Sequence, residues 1–200
     1  MVIDIDTLLA WGGVYKQIAT GDVIFTEGSE CYYYHQVVSG LVRWVNIDEE
    51  GREYIQTIIE KGECFGEIPL FDNEPYAATA IAEENAIIIK LRKATFIQLI
   101  KEKPEIHFNV SVVMAKRIRF RFLLLKSIAY QTPEIRVKAL LNYLKKEKKH
   151  FCAKCNQVML TRQQIADMTA LRVETVIRIM RIMHDKEEIR IEKGKVYHKL

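Results

Sequence analysis

The sequence lacks any long hydrophobic run, although 49% of its 200 residues are hydrophobic. No segment approaches the roughly 18 consecutive apolar residues that a membrane-spanning helix requires, so we expect no helical span and no membrane partner. The first six residues contain two acids and no basic cluster, a pattern that does not match a secretory signal peptide. These features together predict a cytoplasmic location.

Cysteine and histidine are scarce, with four and five residues respectively. Cys152 and Cys155 form a single C-x-x-C pair close to His150, but a structural zinc site takes about four ligands and a second pair is missing. The same spacing can lower the pKa of a thiol, so a redox role stays open for this pair beside that of a structural loop. Cys31 and Cys64 are expected to be small core residues. The sequence therefore predicts no metal site and no cofactor.

The sequence also lacks the residue arrays that are typical of enzymes. It contains no recognisable Ser/His/Asp or Cys/His arrangement and no glycine-rich loop that would cradle a phosphate. Metal-dependent β-barrel enzymes need several histidine and carboxylate ligands, whereas the N-terminal half has a single histidine, His35. We therefore predict that the protein is not an enzyme. A purely protein-binding β module is the contrasting class, and it would leave the basic C-terminal part unexplained.

Charge is unevenly distributed along the chain. Residues 1–104 contain nine Lys/Arg and 17 Asp/Glu, a balance of −8, whereas residues 105–200 contain 21 Lys/Arg and nine Asp/Glu, a balance of +12. The two balances together give the net charge of +4. This asymmetry indicates a polyanionic partner for the basic part only. A solvated lysine-rich surface would have the same composition, so a nucleic-acid partner also requires a shape that fits a groove.

Short strand-like runs separated by turns extend from Tyr15 to about Lys93. Glycine-containing turn signals recur at intervals of roughly 6–12 residues. The runs between these signals are rich in β-branched and aromatic residues and cover 22–26, 31–38, 41–46 and 54–59, with further β-rich segments over 77–91. Such spacing is typical of a β-sandwich or a barrel.

A long helix is predicted next. Residues 94–101 favour a short helix that stops near Pro104, and the stretch from Glu105 to about Tyr130 contains neither glycine nor proline. Its apolar residues recur at helical spacing, and a stripe is predicted for Val110, Met114, Ile118, Leu125 and Ile128. A helix of nearly 40 Å that is apolar on more than one side needs two surfaces to cover it. We predict its own β domain on one side and the same helix of a second copy on the other, with packing across its own domain alone as the alternative.

Another amphipathic helix is predicted from Pro133 to about Lys146. Thr132 is a suitable N-cap, proline is tolerated at the first helical position, and an early glutamate complements the helix dipole. The apolar residues of this helix are Ile135, Val137, Leu140, Leu141 and Leu144.

Two short helices and a basic hairpin are predicted at the C-terminal end. The capping-box pattern Thr161-x-x-Gln164 opens a helix over 162–168, and a tight break precedes a second helix from Arg172 or Val173 to about Met183. The second helix has an apolar inner face and a polar outer N-terminal half, and strands over 189–197 follow it around Gly194. This arrangement suits the major groove, which admits one helix and displays base-edge donors and acceptors. A helical bundle with a solvated face is the alternative.

Three motifs, which follow one another along the chain in the order β-roll, hinge helix and helix-turn-helix, resemble those of one known family. Segments 62–71 (GECFGEIPLF) and 77–80 (AATA) are similar to a cyclic-nucleotide-binding β-roll. Segment 132–141 is similar to a hinge and the helix that follows it. Segments 161–167 (TRQQIAD) and 173–178 (VETVIR) are similar to a winged helix-turn-helix. Together they resemble the CRP/FNR family of transcription regulators.

The resemblance implies an α+β fold with an N-terminal double-stranded β-helix, that is, a jelly-roll-like β-roll, followed by a long dimerisation helix and a C-terminal winged helix-turn-helix. The implied domains are a sensor over 1–104, a dimerisation helix over 105–131 and a DNA-binding domain over 132–200.

The resemblance also implies a homodimer that binds double-stranded DNA at an inverted repeat, with RNA polymerase as a further partner. The family reads bases with the glutamate and arginine of an E-T-x-x-R pattern, which are Glu174 and Arg178 here. Val173 in front of them is similar to the FNR branch and implies TTGA-like half-sites, although Ile177 and Ala170 depart from the family pattern. The remaining implied DNA contacts are Thr161, Arg162, Gln163, Arg172, Val173, Thr175, Lys193 and Lys195.

The implied effector pocket departs from that of the cyclic-nucleotide-binding members. Those members hold the cyclic phosphate and the ribose with a Gly-Glu pair and a later arginine. Gly66 and Glu67 match, but Tyr76 or Ala77 stands where the arginine would be. A buried phosphate would lose its bidentate partner, so we predict that cAMP binding is lost. The pocket residues implied for an unidentified effector are Gly66, Glu67, Tyr76, Ala77, Ala78 and Arg121.

Three alternatives stay open for the sensor. Glu67 could cap the adjacent helix instead of binding an effector. The regulator could still depend on a cyclic nucleotide, or it could respond to thiol chemistry through Cys152 and Cys155. An iron–sulfur cluster of the FNR kind is not expected, because no cysteine precedes Cys31.

Overall fold

A computed structural model describes residues 1–130 and 132–198. Gln131, at the end of the predicted dimerisation helix, and Lys199 and Leu200, at the end of the predicted DNA-binding domain, lie outside the described residues. The chain divides into a first unit, Met1–Ala115, and a second unit, Lys116–Leu200.

Two four-stranded antiparallel sheets form the body of the first unit. The strands are β1 (Val14–Ile18), β2 (Val23–Phe25), β3 (Tyr33–Ser39), β4 (Val42–Ile47), β5 (Glu53–Ile59), β6 (Cys64–Phe65), β7 (Thr79–Ala82) and β8 (Ala86–Arg92). One sheet has the order β1-β8-β3-β6 and the other the order β2-β7-β4-β5. The β-rich architecture predicted for this part of the chain is confirmed, and the two-residue strand β6 is an addition, since it is too short to show an alternating pattern.

The strands of both sheets share one core. Its buried residues include Val37, Val42, Trp44, Phe65 and Ile88, which come from strands of both sheets. Gly40, between β3 and β4, has a φ of +83°, and a Cβ at that position would lie 2.5 Å from Asn85 O. Only glycine fits there, because a side chain would both clash with this backbone and disfavour the left-handed conformation.

A second core lies between the other face of β3 and β8 and three helices. These helices are α1 (Ile5–Ala10), α3 (Lys93–Glu102) and the first part of α4 (Pro104–Tyr130), and the short helix α2 (Pro69–Asp72) lies between β6 and β7. The buried Gln36 holds the N-terminal segment to this core, since its amide donates to Ile3 O at 2.8 Å and accepts from Ile3 N at 3.1 Å. The sequence predicted α3 and α4, but not the short helices α1 and α2.

The apolar residues of helix α4 lie in two environments along its length. Val110 is buried and Met114 packs against the core of the first unit, whereas Ile118, Leu125 and Ile128 are exposed. The five residues predicted to form one stripe are therefore divided between two environments. Val110 and Ile128 are 18 residues apart, about five full turns, so their side chains point in the same direction. Position along the helix separates the two groups, since Val110 and Met114 belong to the first unit and the other three residues to the second.

The second unit continues with α5 (Pro133–Lys146), α6 (Arg162–Thr169), α7 (Val173–Asp185), β9 (Ile189–Glu192) and β10 (Lys195–His198). Thr132 caps α5 by accepting from the Ile135 N–H, as its sequence predicts. The apolar face of α5 is buried at Val137, Leu140, Leu141 and Leu144, but Ile135 in its first turn is 46% exposed. None of the helices in the described parts of the chain has the length and apolarity needed to cross a membrane.

Candidate nucleic-acid interface and effector pocket

Reciprocal hydrogen bonds fix the start of helix α6. Thr161 Oγ1 accepts from the Gln164 N–H at 3.1 Å, and Gln164 Oε1 accepts from the Thr161 N–H at 2.8 Å. This is the capping box that the sequence predicted, and it satisfies two donors at the start of the helix. Beside it, the Gln163 amide donates to Asp167 Oδ1 at 2.7 Å, and Arg162 is partly exposed.

A left-handed residue makes the turn between α6 and α7. Ala170 has φ 51° and ψ 44°, and the Leu171 N–H donates to Ala166 O at 3.0 Å. An alanine in this conformation costs about 1 kcal/mol, which glycine would avoid. Arg136 Nη1 on α5 donates to Thr169 O at 3.1 Å and so supports the turn. Sequence reasoning missed Arg136, because its contact lies 33 residues away and has no local signal.

Helix α7 separates an apolar face from a charged one. The residues predicted to point inward are all buried, namely Val176, Ile179, Met180 and Met183. Glu174 and Arg178 lie four residues apart on the exposed side, so their side chains project from the same face, one turn from each other. Arg172 and Arg181 are also exposed, whereas Val173 and Thr175 are partly buried.

A basic two-stranded hairpin follows α7. Lys195 on β10 pairs with Glu192 on β9, so Lys193 and Gly194 form a two-residue turn. Their φ values, 45° and 78°, are both positive, as a type I′ hairpin turn requires. Lys193 and Lys195 are exposed at this tip. The predicted DNA contacts thus lie in one unit, at the start of α6, along α7 and on the hairpin.

Aromatic rings fill the part of the first unit where the effector pocket was predicted. The rings of Phe25 and Tyr76 stack with a centroid distance of 3.7 Å and an angle of 6°. A Cβ on Gly66 would lie 2.6 Å from Phe25 Cζ and 2.9 Å from Tyr76 Cε1, so both rings lie against the Gly66 backbone. The Tyr76 main chain is held as well, since its N–H donates to Ser29 O at 3.0 Å and its carbonyl accepts from the Gly28 N–H at 2.8 Å.

The other predicted pocket residues lie in different environments. Glu67 is 1% and Ala78 3% exposed, whereas Ala77 is exposed to solvent. Helix α2 begins after Ile68, and the main-chain oxygen of Glu67 accepts from the Leu70 N–H at 3.1 Å. Arg121 belongs to the second unit, where its guanidinium lies 5.9 Å from the ring centroid of Phe120. Gly66, Glu67, Tyr76 and Ala78 are therefore buried together in the first unit.

His35 belongs to the same aromatic cluster, and sequence reasoning placed neither His35 nor Phe25 near the predicted pocket. Its ring lies 5.5 Å from that of Phe25 and 5.3 Å from that of Phe65. Its Nδ1 is buried and has no hydrogen-bond partner among the described residues. Burial, reinforced by the charges of Lys90 and Lys16, lowers the pKa of His35 to about 3. The imidazole is therefore neutral at neutral pH.

Replacing His35 with phenylalanine is expected to reduce the loss of stability in mild acid. The unfolded chain binds a proton at His35 below a pKa of about 6.5, and the folded chain does not, so stability falls as the pH falls below 6.5. Between pH 7 and pH 5 this histidine should remove about 2 kcal/mol from the free energy of unfolding. Urea unfolding at both pH values would measure the difference, with His107→Gln, a change at an exposed histidine, as the control. Equal acid sensitivity in wild type and His35→Phe would contradict the assignment.

The sequence comparisons agree with this architecture. Residues 15–103 match the family described as the cyclic nucleotide-binding domain. The chain is 30% identical over 165 residues to the cAMP-activated global transcriptional regulator CRP of Pasteurella multocida, covering 82% of this chain and 78% of that protein. It is 26% identical over 177 residues to the cyclic AMP receptor protein of Thermus thermophilus, covering 88% of this chain and 79% of that protein.

Solved structures share the fold at lower identity. FixK2 from Bradyrhizobium japonicum matches with a TM-score of 0.79 and 18% identity, covering 94% of this chain and 93% of that chain. The c-di-GMP-responsive global regulator CLP from Xanthomonas campestris matches with a TM-score of 0.80 and 19% identity, covering 98% of both chains.

A β-rich unit, a long helix and a winged helix-turn-helix define a transcription regulator. The chain belongs to the CRP/FNR family of these regulators.

Proposed function

We propose that the protein is a homodimeric, sequence-specific regulator that binds double-stranded DNA at an inverted repeat without cAMP. In this proposal residues 1–104 form the sensor, 105–131 the dimerisation helix and 132–200 the DNA-binding domain. The observation that supports the proposal is the exposed charged face of α7. The turn at Ala170 and the buried apolar face of α7 hold this helix beside α6, so that the charged face points to solvent.

The proposal places helix α7 in the major groove. Arg178 would donate two hydrogen bonds to guanine O6 and N7, and Glu174 would accept from the amino group of cytosine. The N-terminal end of α6, including Thr161, Arg162 and Gln163, would lie at the DNA backbone, and Lys193 and Lys195 on the hairpin would contact phosphates. The phosphate contacts give affinity and register, whereas the two residues on α7 give the sequence preference.

Exposed apolar residues on α4 support the dimer. Within the second unit Ile118, Phe122 and Leu125 are 54%, 68% and 63% exposed, and Ala129 is exposed as well. The spacing of four, three and four residues places them on one seam, as in the a and d positions of a coiled coil. A second copy of the same helix would bury this seam on both sides.

The two-fold symmetry of the dimer sets the spacing of the two half-sites in its operator. The two α7 helices would reach successive major grooves on one side of the duplex, so the half-sites would be about 34 Å apart. The half-sites would be TTGA-like, in view of the sequence Val173-Glu174-Thr175. On the promoter the dimer would contact RNA polymerase.

Filling of the sensor by aromatic rings supports independence from cAMP. Tyr76 or Ala77 stands where the family's arginine would hold the cyclic phosphate, and the ring of Tyr76 is 3% exposed and stacks on that of Phe25. A cyclic phosphate would have to displace both rings and would find no bidentate partner from Tyr76. The match to the cyclic nucleotide-binding domain favours the contrasting function, that of a cyclic-nucleotide-dependent regulator.

We expect cAMP to leave the Tm of the purified protein unchanged. A ligand that binds only the folded state adds about 2.7 kcal/mol to the free energy of unfolding when its concentration is 100 times its Kd, and the Tm rises accordingly. A ligand that does not bind leaves the Tm unchanged. A thermal-shift titration would measure this, with cGMP and small anions in parallel. A saturable rise in Tm with cAMP would establish the contrasting function instead.

Selection of binding sites from a random duplex pool tests the proposed function itself. The purified full-length protein, without added ligand, should enrich an inverted repeat with TTGA-like arms. Enrichment of a single arm would contradict the dimer, and salt-sensitive binding without enrichment would contradict sequence reading by the free protein.

A further inference from the structure

Cys152 and Cys155 lie in a closed turn of the second unit. Phe151 and Val158 form an antiparallel bridge on either side of it. The Cys152 N–H donates to Gln157 O at 2.9 Å, and the Cys152 carbonyl accepts from the Asn156 N–H at 2.9 Å. The backbone therefore folds back on itself and brings the two cysteines together.

The two cysteines are neighbours in this turn, and both thiols are at least partly exposed to solvent. The Cys152 sulfur accepts hydrogen bonds from the Lys154 N–H, the Cys155 thiol and the Cys155 N–H. These donors lower the pKa of Cys152, because they stabilise negative charge on its sulfur. Both cysteines are free, and Cys155 is exposed and Cys152 partly so, whereas Cys31 and Cys64 are buried. Cys152 thus has the environment of an attacking thiolate and Cys155 that of a neighbouring resolving thiol.

The same turn is bonded to the hairpin that carries Lys193 and Lys195. The Val158 N–H donates to Val196 O at 2.8 Å, and the His198 N–H donates to Asn156 O at 3.1 Å. Gln157 and Tyr197 form a bridge between these two bonds. The segment leaving the cysteine turn therefore extends the sheet at β10, so backbone hydrogen bonds join the turn to the hairpin.

We propose that Cys152 and Cys155 form a reversible disulfide, and that this bond weakens DNA binding by displacing the hairpin. The second clause rests on the proposed DNA-binding function, whereas the first rests on the turn alone. A metal ion is the less favoured occupant of the pair, since no group of three metal-ligating side chains occurs within 1–130 and 132–198.

The oxidant is a hydroperoxide, ROOH. The Cys152 thiolate attacks one peroxide oxygen, the O–O bond breaks, and the leaving alkoxide takes a proton from water to give ROH, so that Cys152 becomes a sulfenic acid. The Cys155 sulfur then attacks the Cys152 sulfur, the S–O bond breaks, and the hydroxyl leaves as water with the proton of the Cys155 thiol. Two thiols have lost two electrons and two protons, and a small thiol such as glutathione reverses the reaction by exchange.

The disulfide changes the hydrogen bonding of the turn. The S–S bond draws the sulfurs to about 2.05 Å, and the Lys154 and Cys155 N–H groups lose an anionic acceptor. The hairpin contacts phosphates in the proposed function, so we expect about tenfold weaker binding to every DNA sequence alike. Glutathione should restore the affinity.

The test combines thiol counting with DNA binding on the full-length protein. Under mild hydroperoxide, each chain of the wild type should lose two of its four thiols and the mass of two hydrogen atoms, with no disulfide between chains. The Cys155→Ser variant should stop at a sulfenic acid on Cys152, which dimedone traps. The double variant Cys152→Ser/Cys155→Ser should keep the same DNA affinity with and without oxidant.

The outcomes separate the two clauses of the proposal. Retention of all four thiols, disulfides between chains, or oxidation that begins only after a chelator is added would overturn the disulfide. An intrachain disulfide with unchanged DNA affinity would overturn its effect on the hairpin. If the reduced protein binds no DNA, the proposed function is wrong, but the thiol count still shows whether Cys152 and Cys155 form a disulfide.

Discussion

Replacing Arg178 with alanine is expected to remove the preference for one base pair in each half-site and to leave non-specific DNA binding almost unchanged. A bidentate contact between arginine and guanine contributes about 1–3 kcal/mol of discrimination, and a dimer makes two such contacts. Affinity for the selected operator should therefore fall by about 2–6 kcal/mol, which is at least about 30-fold. Anisotropy titrations with the operator, single-base variants of it and a random duplex would measure the effect.

The matched control for Arg178→Ala is Lys193→Asn. Asparagine tolerates the left-handed conformation of the hairpin turn, where Lys193 has a φ of 45°, so the fold is kept while one positive charge is removed. This variant should weaken binding to all duplexes equally and should lower the salt slope by about one for each subunit. If Arg178→Ala also weakened all duplexes by the same factor, the base-reading role of Arg178 would be wrong.

Replacing Phe122 with aspartate is expected to convert the dimer into folded monomers. Phe122 is more exposed than Ile118 and Leu125 on the same seam of α4, and a two-fold interface would contain it twice. Loss of two buried rings removes about 4 kcal/mol, and two carboxylates would also lose water, so dimerisation should weaken at least about 1000-fold. Sedimentation equilibrium would measure the dissociation constant, and circular dichroism would verify the helical content.

The control for this second prediction is Phe122→Leu, which keeps an apolar side chain on the seam. It should stay dimeric and bind the inverted repeat almost as well as wild type. Phe122→Asp should also bind the inverted repeat far more weakly, because its two half-sites are no longer reached by linked domains. An unchanged dimer in Phe122→Asp would show that the subunits associate through another surface.

Much of the architecture could be predicted from the sequence, because the relevant signals are local. The capping box at Thr161 and the Thr132-Pro133 start of α5 depend on hydrogen bonds within one helical turn, so the residues themselves specify the helix ends. The inner and outer faces of α7 follow from the 3.6-residue period. The hairpin around Gly194 follows from a turn whose two residues both have positive φ.

Other features were decided by contacts that join distant parts of the chain. Phe25 lies against the Gly66 backbone and Tyr76, and Arg136 supports the turn at Thr169, yet neither residue is part of a motif. The division of the predicted α4 stripe likewise depends on which part of the helix packs against the core of the first unit, since Val110 is buried and Ile128, at the same angle around the axis, is not. Periodicity gives the relative angle of two side chains and not the identity of their neighbour.

The sequence by itself determined a β-rich part, a long helix, and two short helices followed by a hairpin, because local capping, turn chemistry and periodicity specify these elements. The class of protein came from the resemblance of its three motifs to one family. Only the tertiary structure decided which rings lie against Gly66 and that the turn containing Cys152 is hydrogen-bonded to the hairpin. Ring stacking between Phe25 and Tyr76 and backbone bonds from the Cys152 turn to β10 join residues far apart in the chain. Such contacts arise from packing in three dimensions, which no local pattern encodes.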